Sequence, residues 1–169
     1  MLDLSMIQKN LIVFTSKTYL KLYNIDGEGA EIKILKGHKE RIQVLYHFTS
    51  NTKHYLLSSG WDRMLNIWSI NEDLKSSELL ISVIAFDSLI KNLLIIDNLV
   101  IVYGLDKKGN IWKMNLLEKK LDFYKDFQME SMNVQLAYIN NLNFGVNKKR
   151  IILSMSDGVN LSNYKLELI

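Results

Sequence analysis

The chain has 169 residues, a formal charge of +3, no cysteine and three histidines, with 48% hydrophobic and 23% charged residues. These values suit one folded domain, or a piece of a larger one. They exclude disulfides, thiol catalysis and Cys-ligated zinc or iron–sulfur centres, leave little for a His-rich metal site, and give too small a charge to argue nucleic-acid binding alone.

From the N-terminus, MLDLSMIQKN carries an early acid and no apolar core of signal-peptide length. The first strong pattern is LIVFTSKTYLKLYNI, Leu11 to Ile25, two apolar runs about a polar turn. EIKILKG and Ile42 to Phe48 follow as strand candidates. In HYLLSSGWDRMLNIWSI, Leu56 and Leu57 lead into a polar turn from Ser58 to Arg63, and Leu65, Ile67 and Trp68 resume near period two, which predicts a hairpin. Glu78 to Phe86 and Leu89 to Ile96 read as strands. The stretch from Leu79 to Leu105 is the most apolar, but Asp87, Lys91, Asp97 and Asn98 interrupt it, so no membrane span is expected. NLVIVYGLDKKGNIWKMNL, Asn98 to Leu116, repeats the hairpin shape. Lys120 to Phe127 and Val134 to Ile139 are further strands, and RIILSMSDGVNLSNYKL, Arg150 to Leu166, repeats the hairpin again. No segment sustains a 3.6-residue period, so no long helix is placed.

The hairpins are copies of one another. Leu11–Ile25 aligns without a gap to Leu56–Ile70 at a shift of 45 residues. That alignment sets Tyr23 on Trp68, Leu22 on Ile67, Leu20 on Leu65, Val13 on Ser58 and Lys17 on Asp62. In the third copy Trp112 and Met114 compete for the Trp68 position; in the fourth Tyr164 takes it. A period of about 45 to 50 residues is close to that of four-stranded propeller blades.

Gly37-His38, the 30-residue spacing from His38 to Trp68, and the core SSGWDRMLNIWSI together resemble a WD-repeat β-propeller blade. The match is strong for residues 36–70 and fainter elsewhere. The resemblance implies an all-β fold, a single propeller domain with blades at about 1–36, 37–86, 87–130 and 131–169. It also implies a buried hydrogen-bond chain of Trp68, Ser58, His38 and Asp62. Ser69 stands where the family has Asp. The third copy keeps Asp106 without a preceding Gly-His, and the fourth keeps Ser154, with Asp157 one position early. Four blades fill the chain, and the fourth lacks its last strand. The ring is therefore closed by a partner, closed by the N-terminal strand, or incomplete, since unpaired sheet edges invite aggregation.

Ser58, His38 and Asp62 are also the residue types of a catalytic triad. The resemblance makes Ser58 an inward-facing strand residue, and nothing supplies an oxyanion hole. Lys148, Lys149 and Arg150 read as a solvated loop guarding a strand edge. The resemblance puts Lys17, Lys39, Glu40, Arg41, Trp61, Arg63, Lys107 and Lys108 on one rim. Trp and Arg are the residue types enriched at binding hot spots; the competing arrangement folds Trp61 down onto a neighbouring blade. The expected function is a non-enzymatic scaffold for protein partners, intracellular in the cytoplasm or nucleus. The alternative is an RNA-associated subunit of a ribosome-assembly or RNA-modifying complex. No catalytic residue, metal site, cofactor, small-molecule substrate or membrane contact is expected.

Overall fold

A computed structural model of the chain describes residues 4–8, 11–25, 31–71, 76–106, 108–128, 137–139, 149–156 and 161–168, with side chains within 11–25, 33–71, 76–106 and 108–128. The fold is all-β, and the described residues contain no helix. The first sheet is β1 (Leu4–Gln8), β2 (Leu11–Ser16), β3 (Tyr19–Asn24) and β4 (Glu31–Lys36). The second is β5 (Ile42–Ser50), β6 (Lys53–Gly60), β7 (Met64–Ile70) and β8 (Glu78–Ile84). The third is β9 (Ile90–Ile96), β10 (Leu99–Gly104), β11 (Lys108–Asn115) and β12 (Lys120–Gln128). The fourth is β13 (Ala137–Ile139), β14 (Lys149–Ser156) and β15 (Leu161–Leu168). Each sheet is an antiparallel meander of consecutive strands, and none closes on itself.

The turns form with little glycine. Lys17, Asn51, Thr52, Arg63, Asp97 and Lys119 all take positive φ, between 49° and 65°, a region that Asn and Asp tolerate and β-branched Thr52 resists. The β6–β7 turn is shorter than the polar run from Ser58 to Arg63 suggests. Ser58 and Ser59 belong to β6 and pair with Asn66 and Leu65 of β7. Ser58 is polar but its hydroxyl is hydrogen-bonded inside, so the strand continues through it.

The second sheet is the middle layer. One pleat of it, with Leu56, Trp68 and Ile70, packs on Leu11, Val13, Leu20, Leu22 and Leu35 of the first sheet. The other pleat, with Leu57, Leu65 and Ile67, packs on Leu93, Val100 and Val102 of the third. That two-sided burial explains why apolar residues stand side by side on both faces, Leu56 with Leu57 and Ile67 with Trp68. Ile101, Tyr103 and Ile111 of the third sheet are also buried and pleat away from the second.

Backbone hydrogen bonds stitch the layers at one end. Ile42 N donates to Lys17 O at 2.7 Å and Ala85 N to Arg63 O at 3.1 Å, so the loops entering the second and third sheets are tied to the turn of the sheet before. Within a sheet, Trp61 N donates to Arg41 O at 2.9 Å and Leu105 N to Leu89 O at 3.0 Å. The initial strands β1, β5 and β9 approach one another in turn.

Candidate functional site

The second sheet holds four polar residues in line. Trp68 Nε1 donates to Ser58 Oγ at 2.8 Å. Ser58 Oγ lies 2.8 Å from His38 Nε2, and His38 Nδ1 lies 2.9 Å from Asp62 Oδ2. The carboxylate only accepts, so Nδ1 carries the proton and Nε2 accepts from the Ser58 hydroxyl. Every donor therefore points the same way, from Trp68 through Ser58 and His38 to Asp62. Asp62 also receives Lys39 N at 2.8 Å and Met64 N at 3.2 Å, which ties the loop before β5 to the β6–β7 turn. Gly37 is required for close approach: a Cβ there would lie 2.7 Å from the Trp68 ring.

Ser58, His38 and Asp62 thus have the distances of a catalytic triad without its access. Ser58 is fully buried, and its oxygen already receives the Trp68 proton. Burial pushes the His38 imidazole below its ordinary value of 6.5, against the opposing pull of Asp62. What the arrangement does chemically is clamp loop to sheet.

The other sheets solve the same problem differently. Trp112 faces Val100 as Trp68 faces Leu56, so Trp112, and not Met114, stands at the Trp68 position. Val102 is then in the place of Ser58. Counting three residues back from the loop carbonyls of Arg41 and Leu89 puts Phe86 in the place of His38. Asp106 keeps its turn role, accepting from Ser88 Oγ at 2.8 Å and Lys108 N at 3.3 Å. Ser88 was not singled out by sequence, because no Gly-His marks that loop.

In the first sheet the ungapped alignment is off by one residue in β2. Ile12 faces Tyr23, and Phe14 faces Lys21, so Phe14 rather than Val13 is at the Ser58 position. The reason is that the β2–β3 turn, Lys17 and Thr18, is one residue shorter than Trp61, Asp62 and Arg63. Tyr23 stacks on Phe14 with ring centroids 4.9 Å apart, an aromatic pair in place of the indole–hydroxyl bond. In the fourth sheet Tyr164 pairs with Leu153, which puts Met155, not Ser154, at the Ser58 register. Asp157, Lys107 and Lys148 lie outside the described residues.

On the stitched end, Trp61 is 49% exposed. Its indole donates to Gln43 Oε1 at 2.8 Å rather than folding into a core. Lys17, Lys39, Glu40, Arg41, Arg63 and Lys108 are exposed there too. Arg63 Nη1 donates to the Asp87 carbonyl at 3.4 Å. Lys17, Glu40 and Arg41 border a cleft of about 800 Å³. A second cleft, of about 430 Å³, is lined by Asp87, Asp106, Asp126 and Lys108. This acidic cleft was invisible in the sequence, since its carboxylates come from separate loops and strands. The rim therefore carries a group of carboxylates beside the basic residues expected there.

Elsewhere, His47 Nε2 lies 3.0 Å from His54 Nδ1 across the β5–β6 hairpin. Burial, and then the neighbouring His54, push His47 below its ordinary value. Among the described residues no three His, Asp or Glu side chains gather as metal ligands. No helix among them is long and apolar enough to cross a membrane.

No protein-family model matches the chain, and no curated protein matches it. Among solved structures it is similar to the computationally designed Ika8 protein, with a TM-score of 0.68 and 18% identity over 96% of this chain and 45% of that one. It is similar as well to the computationally designed Ika4 protein, with a TM-score of 0.67 and 20% identity over 95% of this chain and 88% of that one. The chain spans less than half of the Ika8 chain. At such identities the likeness shows the fold alone.

These findings overturn the resemblance to the WD-repeat family. The similar structures are designed all-β proteins, and nothing found carries the WD-repeat assignment. The physical reason lies in the repeats. The polar set that carried the resemblance is complete in the second sheet, while the first and third substitute Phe14 and Tyr23, or Phe86 and Val102.

Proposed function

We propose that the chain is a non-enzymatic β-propeller module of about four blades that holds a protein partner within a larger complex of the cytoplasm or nucleus. The approach of β1, β5 and β9 supports a radial arrangement of sheets about their first strands. The burial of Ser58 supports a structural rather than a nucleophilic role for the Ser58–His38–Asp62 set.

The observation that carries the binding role is Trp61, an indole 49% exposed on a turn tip. Its backbone N–H holds the Arg41 carbonyl, and Arg63 is two residues on. A polar residue would suit such a turn better, and Trp with Arg is the composition of binding hot spots. The partner docks on this rim through an acidic or aromatic segment. RNA is the second reading, favoured by Lys17, Lys39, Arg41 and Arg63 and opposed by the carboxylates of the second cleft.

The test is affinity purification from the native cell with mass spectrometry, comparing the wild type with Trp61→Ala/Arg63→Ala. The double variant loses more than about 2 kcal/mol of partner binding, the hot-spot scale, at an almost unchanged thermal midpoint. A variant that unfolds yet keeps its affinity per folded molecule makes Trp61 a core residue and removes the rim as the docking face.

A further inference from the structure

The rim divides by charge, and Trp61 stands on the divide. On one side Lys17 and Arg41 border a cleft whose remaining wall carries Glu40, Ile42 and the hydroxyl residues Thr15, Ser16 and Thr18. Lys17 is held in place: its φ is 53° and its carbonyl receives Ile42 N at 2.7 Å. On the other side Asp87, Asp106 and Asp126 face a cleft with Lys108 as its basic residue and with Phe86, Phe123 and Phe127 among its walls. The turn from Trp61 to Arg63 joins the two. Its first residue bonds the Arg41 carbonyl, and its last donates to the Asp87 carbonyl.

We propose that one extended segment of the partner protein crosses this rim, with an acidic side chain in the Lys17–Arg41 cleft, an apolar residue against Trp61 and a basic side chain in the Asp87–Asp126 cleft. The proposal rests on the rim being the docking face. The first cleft matches a carboxylate, since the two cations Lys17 and Arg41 outweigh the charge of Glu40, and Ser16 and Thr18 add hydroxyl donors. The second matches an ammonium or guanidinium, because Phe123 is 55% exposed beside carboxylates and offers a ring to a cation. A polyanion such as RNA satisfies the first cleft and is repelled by the second. The first cleft is bounded by the fixed turn at Lys17, so little ordering is required there on binding.

The test uses short synthetic peptides carrying a fluorophore. One has an acidic end and a basic end about a central aromatic residue, one is acidic at both ends, and one is basic at both ends. An oligouridylate is the fourth probe. The wild type binds the mixed peptide tightest, and salt weakens that binding. Lys17→Glu/Arg41→Glu loses the mixed peptide by at least about five-fold, the scale of exposed ion pairs, and gains the doubly basic one. Asp87→Lys/Asp126→Lys does the converse and gains the doubly acidic one. Circular dichroism and the thermal midpoint verify that both variants are folded, and the reversed preferences are not produced by a structural defect.

Equal binding of the mixed and doubly acidic peptides by the wild type overturns the proposal, as does oligouridylate binding tighter than any peptide. If Trp61→Ala/Arg63→Ala abolishes mixed-peptide binding while the charge reversals leave it unchanged, the rim reading stands and the two-cleft proposal fails. If neither set of variants changes peptide binding, both fail.

Discussion

Trp68 and Trp112 stand at the same place in successive sheets, opposite Leu56 and Val100, but only Trp68 has an acceptor for its indole N–H. The difference traces to two substitutions, Ser58 by Val102 and His38 by Phe86. Replacing both members of a buried polar pair by apolar groups is nearly neutral, whereas leaving one donor over is not. The third sheet has done the first and retained one donor, the Trp112 N–H.

Installing the polar chain in the third sheet should therefore be cooperative. Val102→Ser alone gives the Trp112 N–H an acceptor but leaves the new hydroxyl proton without one, and Phe86→His alone buries an imidazole with no hydroxyl to donate to it; each costs about 1–3 kcal/mol. Together they give Trp112 an acceptor and the new hydroxyl one of its own. The double variant is less destabilised than the sum by about 1 kcal/mol or more, within the range for residues in one network. Denaturant midpoints for the four corners of the cycle measure this. Strict additivity would show that the two positions are not in hydrogen-bond reach.

In the second sheet the same logic runs backwards. Trp68→Ala removes a fully buried ring and costs about 3–5 kcal/mol. His38→Ala leaves the Ser58 hydroxyl without its acceptor and takes the imidazole donor from Asp62, which keeps Lys39 N and Met64 N, at about 1–3 kcal/mol. Ser58→Ala strands both the Trp68 donor and the His38 acceptor, so it costs as much as His38→Ala despite removing a single oxygen. Chemical denaturation of the three variants would contradict the chain if Ser58→Ala proved silent.

Two histidines set the pH dependence. His38 and His47 are both held below their ordinary value of 6.5, chiefly by burial. In the unfolded chain each takes up a proton at that ordinary value; in the fold each does so only at lower pH. Between the two values the unfolded chain binds more protons, so stability rises with pH there. The contribution is complete above 6.5 and drains away as pH falls toward the folded values. Thermal midpoints measured from about pH 8 to about pH 5 decline below about 6.5, and His47→Gln flattens part of the decline. A midpoint that rises on acidification would mean that the imidazoles are charged in the fold.

The all-β fold was legible because the apolar runs alternate or pair about polar turns, as in Leu11–Ile25 and Leu56–Ile70. The neighbourhood of His38, Ser58, Asp62 and Trp68 was legible for a different reason: the resemblance of residues 36–70 to a WD-repeat blade implied it, and a buried indole needs an acceptor of that kind. What an ungapped alignment lost was the pleat. One residue fewer in the Lys17–Thr18 turn moves β2 by one place, and a shift of one exchanges the faces of a strand, so Val13 went into the core with Leu22 while Phe14 took the outer position. The acidic cleft was illegible because Asp87, Asp106 and Asp126 come from a loop, a turn and a strand, with no sequence periodicity linking them. The family resemblance rested on the one sheet with the full polar set, while the first and third sheets are built on aromatic and aliphatic contacts.

The last prediction concerns the joint between rim and sheet. Gly60 ends β6, faces Ile42, and precedes Trp61. A Cβ at Gly60 would lie 2.6 Å from the Arg41 carbonyl oxygen, and a backbone atom cannot swing aside as a side-chain end can. That same oxygen accepts the Trp61 N–H at 2.9 Å. Gly60→Ala must therefore push the strand end away from the loop before β5 and lengthen or break that bond. The cost is about 1–3 kcal/mol, as for other insertions of a methyl into a filled space. It falls at the rim, because Leu56, Leu57 and Trp68 lie deeper in the same sheet and keep their contacts. Hydrogen exchange reads this directly: the Trp61 amide exchanges faster in Gly60→Ala, while the amides of Leu56 and Leu57 exchange only as fast as the global loss of stability requires. Partner binding weakens in step, since Trp61 and Arg41 are no longer held together. If the Trp61 amide stays protected and the midpoint does not move, the Arg41 carbonyl does not hold the turn, and the rim's geometry must be fixed by Asp62 alone.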